Sequence, residues 1–190
     1  MSKDKMRLFL AVERLVLLQR LLLNILGWKK VMICDYSAYR LEIAKKLGFE
    51  TCNLQVDDFI NHAKDYFGMA YSLNGPTANI DCWLDAAGAK SILDDFLKLG
   101  KIESRFVSVA VNKEPRSIDL LHMTYAQQSI IGSGGYMKEE VDDVQEIMAC
   151  GKWNLESMIT HEFPLEQLDQ ALYKASDVNN SLNVIIKMKK

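Results

Sequence analysis

The residues whose types suit ligand chemistry lie where strand-like runs of the chain end. Asp35 directly follows the apolar residues 31–34. Small residues follow two later runs, as Ala86, Ala87 and Gly88 and as Gly132, Ser133 and Gly134. If the runs are parallel strands, their carboxyl ends meet at one edge of a sheet, where open α/β folds bind ligands. A carboxylate there can accept hydrogen bonds, and small residues let a ligand approach the backbone. The pattern predicts a ligand-binding edge.

Each of these residues also has an ordinary interpretation. Asp35 suits a solvated aspartate at the end of a strand, and the glycines suit common turns. Arg40, one helical turn after Asp35, suits either a ligand contact or a surface arginine. Structural roles are favoured for the three histidines, which are His62, His122 and His161.

The elements that must position these residues alternate between strands and helices. Short β-branched or apolar runs predict strands at residues 30–35, 51–54, 80–85, 105–111 and 129–132. Segments of helical period lie between them, and a polar loop is expected around residues 74–76. This alternation predicts an α/β fold with a doubly wound parallel sheet. The C-terminal tail, residues 153–190, has a different pattern, which predicts a strand at 158–163, a helix at 164–175 and a strand at 182–188.

Composition excludes several classes of partner. The 190 residues carry a net charge of −2, which gives no attraction to nucleic acid or to an anionic membrane. The leucine-rich residues 6–28 include Arg7, Glu13, Arg14 and Arg20, and such charges do not suit a transmembrane span or a secretory signal. We therefore expect a soluble cytoplasmic protein with no nucleic-acid and no membrane partner.

The cysteines do not have the spacing of a metal site. Cys34, Cys52, Cys82 and Cys150 are separated by 18, 30 and 68 positions, whereas structural zinc sites pair cysteines about two to four residues apart. Cys34 and Cys82 lie in apolar runs, which is typical of buried reduced thiols. We expect no metal ligands.

Five runs of the sequence resemble, in order, the cofactor-binding half of zinc-dependent medium-chain dehydrogenases. They are residues 31–37 with Arg40 and 44–48, then 81–88, 105–111, 130–136, and 159–165 with Ala171. The order of an acidic residue, serine, arginine and then Leu-Gly is typical of the polyol and threonine dehydrogenase branch. The resemblance covers residues 29 to 188. It implies a Rossmann-like fold and a parent enzyme that transfers hydride from a secondary alcohol, such as a polyol, to NAD.

The resemblance also implies which residues contact NAD. They are Asp35, Arg40, Ala86, Ala87, Gly88, Val109, Gly132, Ser133 and Gly134. In this fold an acidic residue after the second strand accepts hydrogen bonds from the adenosine ribose. Its charge would repel the additional phosphate of NADP, so NAD is the expected cofactor. The expected partner is a small-molecule alcohol or polyol, and the resemblance leaves room for a homo-oligomer.

The resemblance divides the chain into three parts. Residues 1–28 form a leucine-rich segment in place of the first strand and glycine loop, residues 29–152 an NAD-binding domain, and residues 153–190 a tail that returns to a catalytic domain. In the family that domain comes first and supplies zinc ligands from Cys, His and an acidic residue. About five residues precede the expected first strand here. No catalytic residue is therefore expected, and the isolated chain is expected to be inactive.

The sequence lacks the glycine fingerprint that binds phosphates in this fold. The first strand of the family leads into G-x-G-x-x-G, where the pyrophosphate approaches the start of a helix. Counting back from Gly27, residues 11–16 occupy that place. They add bulk and the charge of Glu13 where two phosphates should lie. We therefore expect weak NAD binding.

Codon arithmetic suggests a cause for the missing glycines. A codon that begins with guanine gives glycine in the frame starting one base earlier, provided that the preceding codon ends in guanine. Ala11, Glu13 and Val16 have codons of this type and reproduce the G-x-G-x-x-G spacing. We interpret residues up to about 25 as an out-of-frame translation. The alternative is a true sequence with a leucine-rich helix over residues 15–26. Pairing of residues 6–12 as a strand is left open.

Two other functions fit parts of the sequence. A non-catalytic interaction module would use a leucine-rich helix at residues 6–27 for contacts with other chains. A Rossmann-fold methyltransferase would also place an acidic residue after its second strand. The runs at 130–136 and 159–165 have no place in that second fold.

Overall fold

A computed structural model describes residues 7–11, 30–151 and 154–188 of the chain. The strands in this part are β1 (Arg7–Ala11), β2 (Lys30–Asp35), β3 (Glu50–Asn53), β4 (Met69–Ser72), β5 (Gly75–Ala78), β6 (Cys82–Asp85), β7 (Arg105–Ser108), β8 (Ser129–Gly132), β9 (Ile159–Pro164) and β10 (Asn183–Lys187). The helices are α1 (Ala38–Lys46), α2 (Phe59–Phe67), α3 (Lys90–Leu99), α4 (Leu120–Ala126), α5 (Lys138–Ala149) and α6 (Leu168–Ser176).

Six parallel strands form the main sheet in the order β3-β2-β1-β6-β7-β8. Strand order therefore reverses beside β1, which is the arrangement of doubly wound dinucleotide-binding sheets. The predicted α/β fold with a parallel sheet is confirmed.

Strand β1 lies at the centre of the main sheet. Residues 7–11 pair with residues 30–34 of β2, and residues 8–11 pair with residues 82–85 of β6. The expectation that a leucine-rich segment replaces the first strand is therefore wrong for residues 7–11. A short apolar run suits this position, because a central parallel strand is hydrogen-bonded on both sides and buried on both faces.

The same strand excludes a continuous helix over residues 6–27, on which the interaction-module alternative depended. The helix expected over residues 15–26 lies outside the described residues.

Each face of the main sheet carries its own core, because alternate residues of a strand point to opposite faces. On one face Val31 packs with Leu41 of α1. On the other face Met32 packs with Phe67 of α2 and Phe96 of α3. Helices thus cover both faces and leave the strand ends open for a site.

Side-chain caps determine where several helices begin. Ser37, two residues after Asp35, caps α1, because its Oγ accepts a hydrogen bond from the Arg40 N–H at 3.3 Å. Asp58 and Asp119 cap α2 and α4 in the same way. Such caps satisfy N–H groups that have no partner within the helix.

Three elements differ from the prediction. The expected polar loop belongs to an antiparallel hairpin of β4 and β5 with a loop at residues 73–74. Helix α4 lies between two predicted strands, where a helix was expected in general but no bounds were predicted. Strand β7 ends at Ser108, before the predicted 111, because the N–H groups of Val109 and Ala110 both donate to the Asp85 carbonyl. These bonds turn the chain away from the ladder.

The tail has the predicted order of strand, helix and strand. Strands β9 and β10 pair in parallel as a separate sheet, and helix α6 contacts both. The division of the chain at residue 153 stays a prediction. Among the described residues, no helix is both long enough and apolar enough to cross a bilayer.

The aromatic cluster on the α2–α3 face gives a test of the fold. The Phe96 ring is fully buried, 6.0 Å from the Trp83 ring and 5.2 Å from the Phe106 ring between centroids. We expect Phe96→Ala to lower the free energy of unfolding by about 3–5 kcal/mol, because it leaves a cavity. Urea denaturation measures the change. Tyr125→Ala, at an exposed ring on α4, should change it by less than about 0.5 kcal/mol; equal losses would contradict the packing.

Candidate functional site

The last residues of the main-sheet strands form one row. Asn53 pairs with Asp35, Ala11 with Asp85, Asp85 with Ser108, and Ser108 with Gly132. Residue 11 also pairs with residue 34 of β2, which joins the two halves of the row. The register therefore places the predicted site residues after β2, β6 and β8 along one edge of the sheet, which we call the carboxyl edge.

Asp35 is buried at this edge, with 9% of its side chain exposed. Its Oδ1 accepts a hydrogen bond from the Ser37 N–H at 2.8 Å. Its Oδ2 accepts no hydrogen bond from the described residues, although Arg40 Nη1 lies 3.9 Å away. Asp35 is therefore not the solvated aspartate of the ordinary interpretation. A buried acceptor without a donor costs about 1–3 kcal/mol, and such an atom commonly marks a ligand site.

The charge of Asp35 is only partly compensated. Burial raises the pKa of this carboxyl group, whereas the Ser37 N–H and the Arg40 guanidinium lower it. Burial has the larger effect, so the pKa lies above that of an ordinary aspartate.

Arg40 is buried as well and links two parts of the chain. Its Nε donates to the backbone oxygen of Ser181 at 3.2 Å, across 141 positions of sequence. The side chain therefore joins α1 to the segment before β10 while holding a positive charge near Asp35. Arg40 is therefore not an exposed surface arginine, and its guanidinium is not free of protein contacts.

The loop at residues 86–88 is folded around the buried carboxylate of Asp85. Asp85 Oδ1 accepts hydrogen bonds from the N–H groups of Ala87 at 2.9 Å and Gly88 at 2.7 Å. The Ala86 side chain is buried in the core. The amides of Ala87 and Gly88 are thus already used, so a ligand here would meet the loop by close packing. Sequence reasoning missed this role of Asp85, for which an acidic residue before Ala-Ala-Gly was the signal.

Gly88 has a backbone conformation that other residues rarely adopt. Its φ is +72°, and a Cβ at this position would lie 3.2 Å from the Ala110 Cβ and 3.3 Å from the Asn112 Oδ1. A side chain would therefore strain the backbone and crowd the neighbouring loop.

Val109 and residues 132–134 lie farther along the same edge. The Val109 side chain packs against the core, and its N–H donates to the Asp85 carbonyl at 2.9 Å. The Ser133 N–H donates to the Ser108 carbonyl at 2.9 Å. Residues 132–134 are exposed, and a Cβ on Gly132 or Gly134 would meet nothing within 4 Å. The space around this loop is open, so the fold itself would accommodate a side chain at Gly132 or Gly134.

The residues expected for the glycine loop follow Ala11, at the centre of the row. Residues 12–16 lie outside the described part of the chain. The predicted site residues at the end of β2 thus lie on one side of Ala11, and those at the ends of β6 and β8 lie on the other side.

An open parallel sheet of this strand order, with an acidic residue at the end of its second strand, is a Rossmann-like fold. The chain belongs to the zinc-binding dehydrogenase family, whose sequence profile matches residues 18–150. The match begins after the six residues that occupy the place of the glycine fingerprint. The resemblance to medium-chain dehydrogenases is thereby confirmed, and the methyltransferase alternative is wrong.

Relatives in sequence and in structure support this assignment. L-threonine 3-dehydrogenases from Pectobacterium carotovorum and Bacillus subtilis are both 26% identical to the chain, over 144 and 147 residues. Each match covers 76% of this chain and 40% of the relative. The chain thus spans less than half the length of these relatives.

Solved dehydrogenase structures share the fold. An Escherichia coli oxidoreductase of unknown specificity has a TM-score of 0.81 at 18% identity, covering 98% of this chain and 51% of that one. L-idonate 5-dehydrogenase from E. coli has a TM-score of 0.77 at 22% identity, covering 96% and 50%. An alcohol dehydrogenase from E. coli CFT073, solved with NADH, has a TM-score of 0.77 at 20% identity, covering 98% and 53%.

The raised pKa of Asp35 predicts the effect of removing its charge. Because the pKa is raised in the folded state, the ionised carboxylate costs stability at neutral pH, and the cost disappears as the pH falls towards the ordinary value of about 3.9. Asp35→Asn keeps an acceptor for the Ser37 N–H without the charge. We expect it to raise the melting temperature near pH 7 and to lose this advantage near pH 4.

Thermal unfolding as a function of pH measures this difference. Asp143→Asn, at an exposed position of α5, serves as the control and should change stability by less than about 0.5 kcal/mol. A lower melting temperature for Asp35→Asn at neutral pH would show that the charge stabilises the fold.

Proposed function

We propose that this chain binds NAD along the carboxyl edge of its main sheet. In this proposal it is the cofactor-binding half of an NAD-dependent dehydrogenase that oxidises a secondary alcohol, such as a polyol. One observation carries the proposal. Asp35 Oδ2 is buried at the end of the second strand and receives no hydrogen bond from the described residues. The adenosine ribose of NAD supplies hydroxyl donors for such an oxygen.

The charges around Asp35 favour NAD over NADP. A phosphate on the ribose would bring additional negative charge towards a partly compensated carboxylate. Arg40 could relieve that repulsion only by turning its guanidinium to the phosphate. Its Nε is held by the Ser181 carbonyl, so the side chain is not free to do so.

The two loops of small residues would lie beside the nicotinamide end of the cofactor. Residues 86–88 are held by Asp85, and residues 132–134 leave open space. Their role would be to let the cofactor pack against the backbone. NAD, when bound, supplies the ring that accepts hydride.

The zinc in the name of the family needs thiolate, imidazole or carboxylate ligands. The side chains of residues 86–88 and 132–134 offer none of these groups, so no step is assigned to a metal held by these loops. Hydride transfer in a zinc-dependent dehydrogenase requires alcohol, metal and cofactor in one cleft. The chain spans 40% of its curated relatives, and we place substrate binding in the part of those relatives that it does not match.

Cofactor preference tests the role of Asp35. The variant should first regain the glycine fingerprint through Ala11→Gly, Glu13→Gly and Val16→Gly, because side chains there obstruct the pyrophosphate. Calorimetric titration should then show tighter binding of NAD than of NADP. Adding Asp35→Ser should narrow the preference by about fivefold or more, corresponding to about 1 kcal/mol. Asp143→Ser should leave it unchanged, and equal affinities with Asp35 intact would contradict the proposal.

The chain as it stands should bind NAD weakly and oxidise no alcohol. Counted along the sequence, Glu13 and its bulky neighbours take the place of the glycine fingerprint, whose bare backbone amides hold the pyrophosphate in this fold. Calorimetry should detect no micromolar NAD binding by the 190-residue chain, and absorbance should detect no NADH with any polyol. Micromolar binding together with turnover would overturn this expectation.

A further inference from the structure

Three groups with metal-ligand chemistry converge between strand β3 and helix α2. The Cys52 thiol, an Asp57 carboxylate oxygen and a His62 ring nitrogen all lie within 4.8 Å of one another. Five positions separate each residue from the next. This spacing does not match a known metal-binding motif, but the turn from β3 into α2 brings the three side chains together. Cys52 is buried, His62 is half-buried and Asp57 is exposed, so an ion could enter from the Asp57 side.

Hydrogen bonds hold the side chains of Asp57 and His62 in place. The Asn53 N–H donates to Asp57 Oδ2 at 2.7 Å, and the Asp57 N–H donates to the Asn53 carbonyl at 2.9 Å. His62 Nε2 lies 2.7 Å from Glu50 Oε1. A carboxylate on one ring nitrogen is the usual device that orients a metal-binding histidine and raises its basicity.

The thiol of Cys52 has a fixed place in the sheet. Cys34 lies directly opposite Cys52 in the parallel register of β2 and β3. Both cysteines are buried and free of disulfide bonds. Thiolate is the form of cysteine that binds metal ions.

We propose that Cys52, Asp57 and His62 form a binding site for one zinc ion. Thiolate and imidazole exclude the hard ions magnesium and calcium, which take oxygen ligands, and suit zinc. Zinc bonds of about 2.0–2.3 Å would require the three ligand atoms, which lie within 4.8 Å of one another, to approach by no more than about an ångström. Three protein ligands leave the fourth position to water. The ion would join the edge strand β3 to helix α2.

This site does not depend on the proposed binding of NAD. Strand alternation places Cys52 on the α2–α3 face of the sheet, among the core residues of that face. The proposal revises the expectation of no metal ligands, because that expectation rested on spacing along the chain alone.

Cobalt and zinc titrations of the full chain, free of any tag and kept reduced with a phosphine, test the site. Cobalt should bind with one equivalent and give the charge-transfer absorption of a thiolate ligand, and zinc should displace it. At a hundredfold excess over its dissociation constant, zinc should raise the melting temperature by about 5–10 °C. A folded chain that binds neither ion stoichiometrically would overturn the proposal.

Matched substitutions identify the ligands. We expect Cys52→Ser and His62→Gln each to weaken cobalt binding at least tenfold, and Cys52→Ser to remove the thiolate absorption. Cys150→Ser, at the exposed cysteine, and His122→Gln should change neither property. If the buried Cys52→Ser variant does not fold, His62→Gln decides the question, since 30% of that side chain is exposed. Unchanged binding in folded His62→Gln, or loss of binding in Cys150→Ser, would refute the site.

Discussion

The carboxyl edge depends on hydrogen bonds along both sides of strand β1. This strand joins the pair β3-β2 to the trio β6-β7-β8. Without it, β2 and β6 would each present an unpaired edge in the middle of the molecule, and buried backbone groups without partners are costly. The same pairing aligns Asp35 and Asp85 in one row. Five residues therefore hold together both the sheet and the two halves of the site.

The alternation of strands and helices could be predicted because it follows from local patterns. Apolar runs indicated the five parallel strands after β1, and segments of helical period indicated the helices between them. The β4–β5 hairpin was missed because each of its strands is only four residues long, and because β5 begins with Gly75-Pro76, a pair typical of turns. The end of β7 was missed because two hydrogen bonds to the Asp85 carbonyl determine it, and these bonds exist only in the folded chain.

The site was predicted in outline for the same reason. The position of Asp35 at a strand end follows from sequence, whereas its burial depends on tertiary packing. The contact between Arg40 and Ser181 spans 141 positions, and the approach of Cys52 to His62 depends on a turn. Sequence periodicity carries no information about either. Asp35 shows the same dependence, because its buried Oδ2 accepts no hydrogen bond from the described residues, which costs stability in a way that the sequence does not reveal.

The buried bond from Arg40 to the Ser181 carbonyl ties the tail to helix α1. Opening either segment breaks this bond, so the opening of one segment disturbs a contact of the other. Local opening events in native proteins involve contiguous units that share such contacts. We therefore expect amide protons near residues 40 and 182 to exchange through a shared opening, which would couple the tail to the helix that starts beside Asp35.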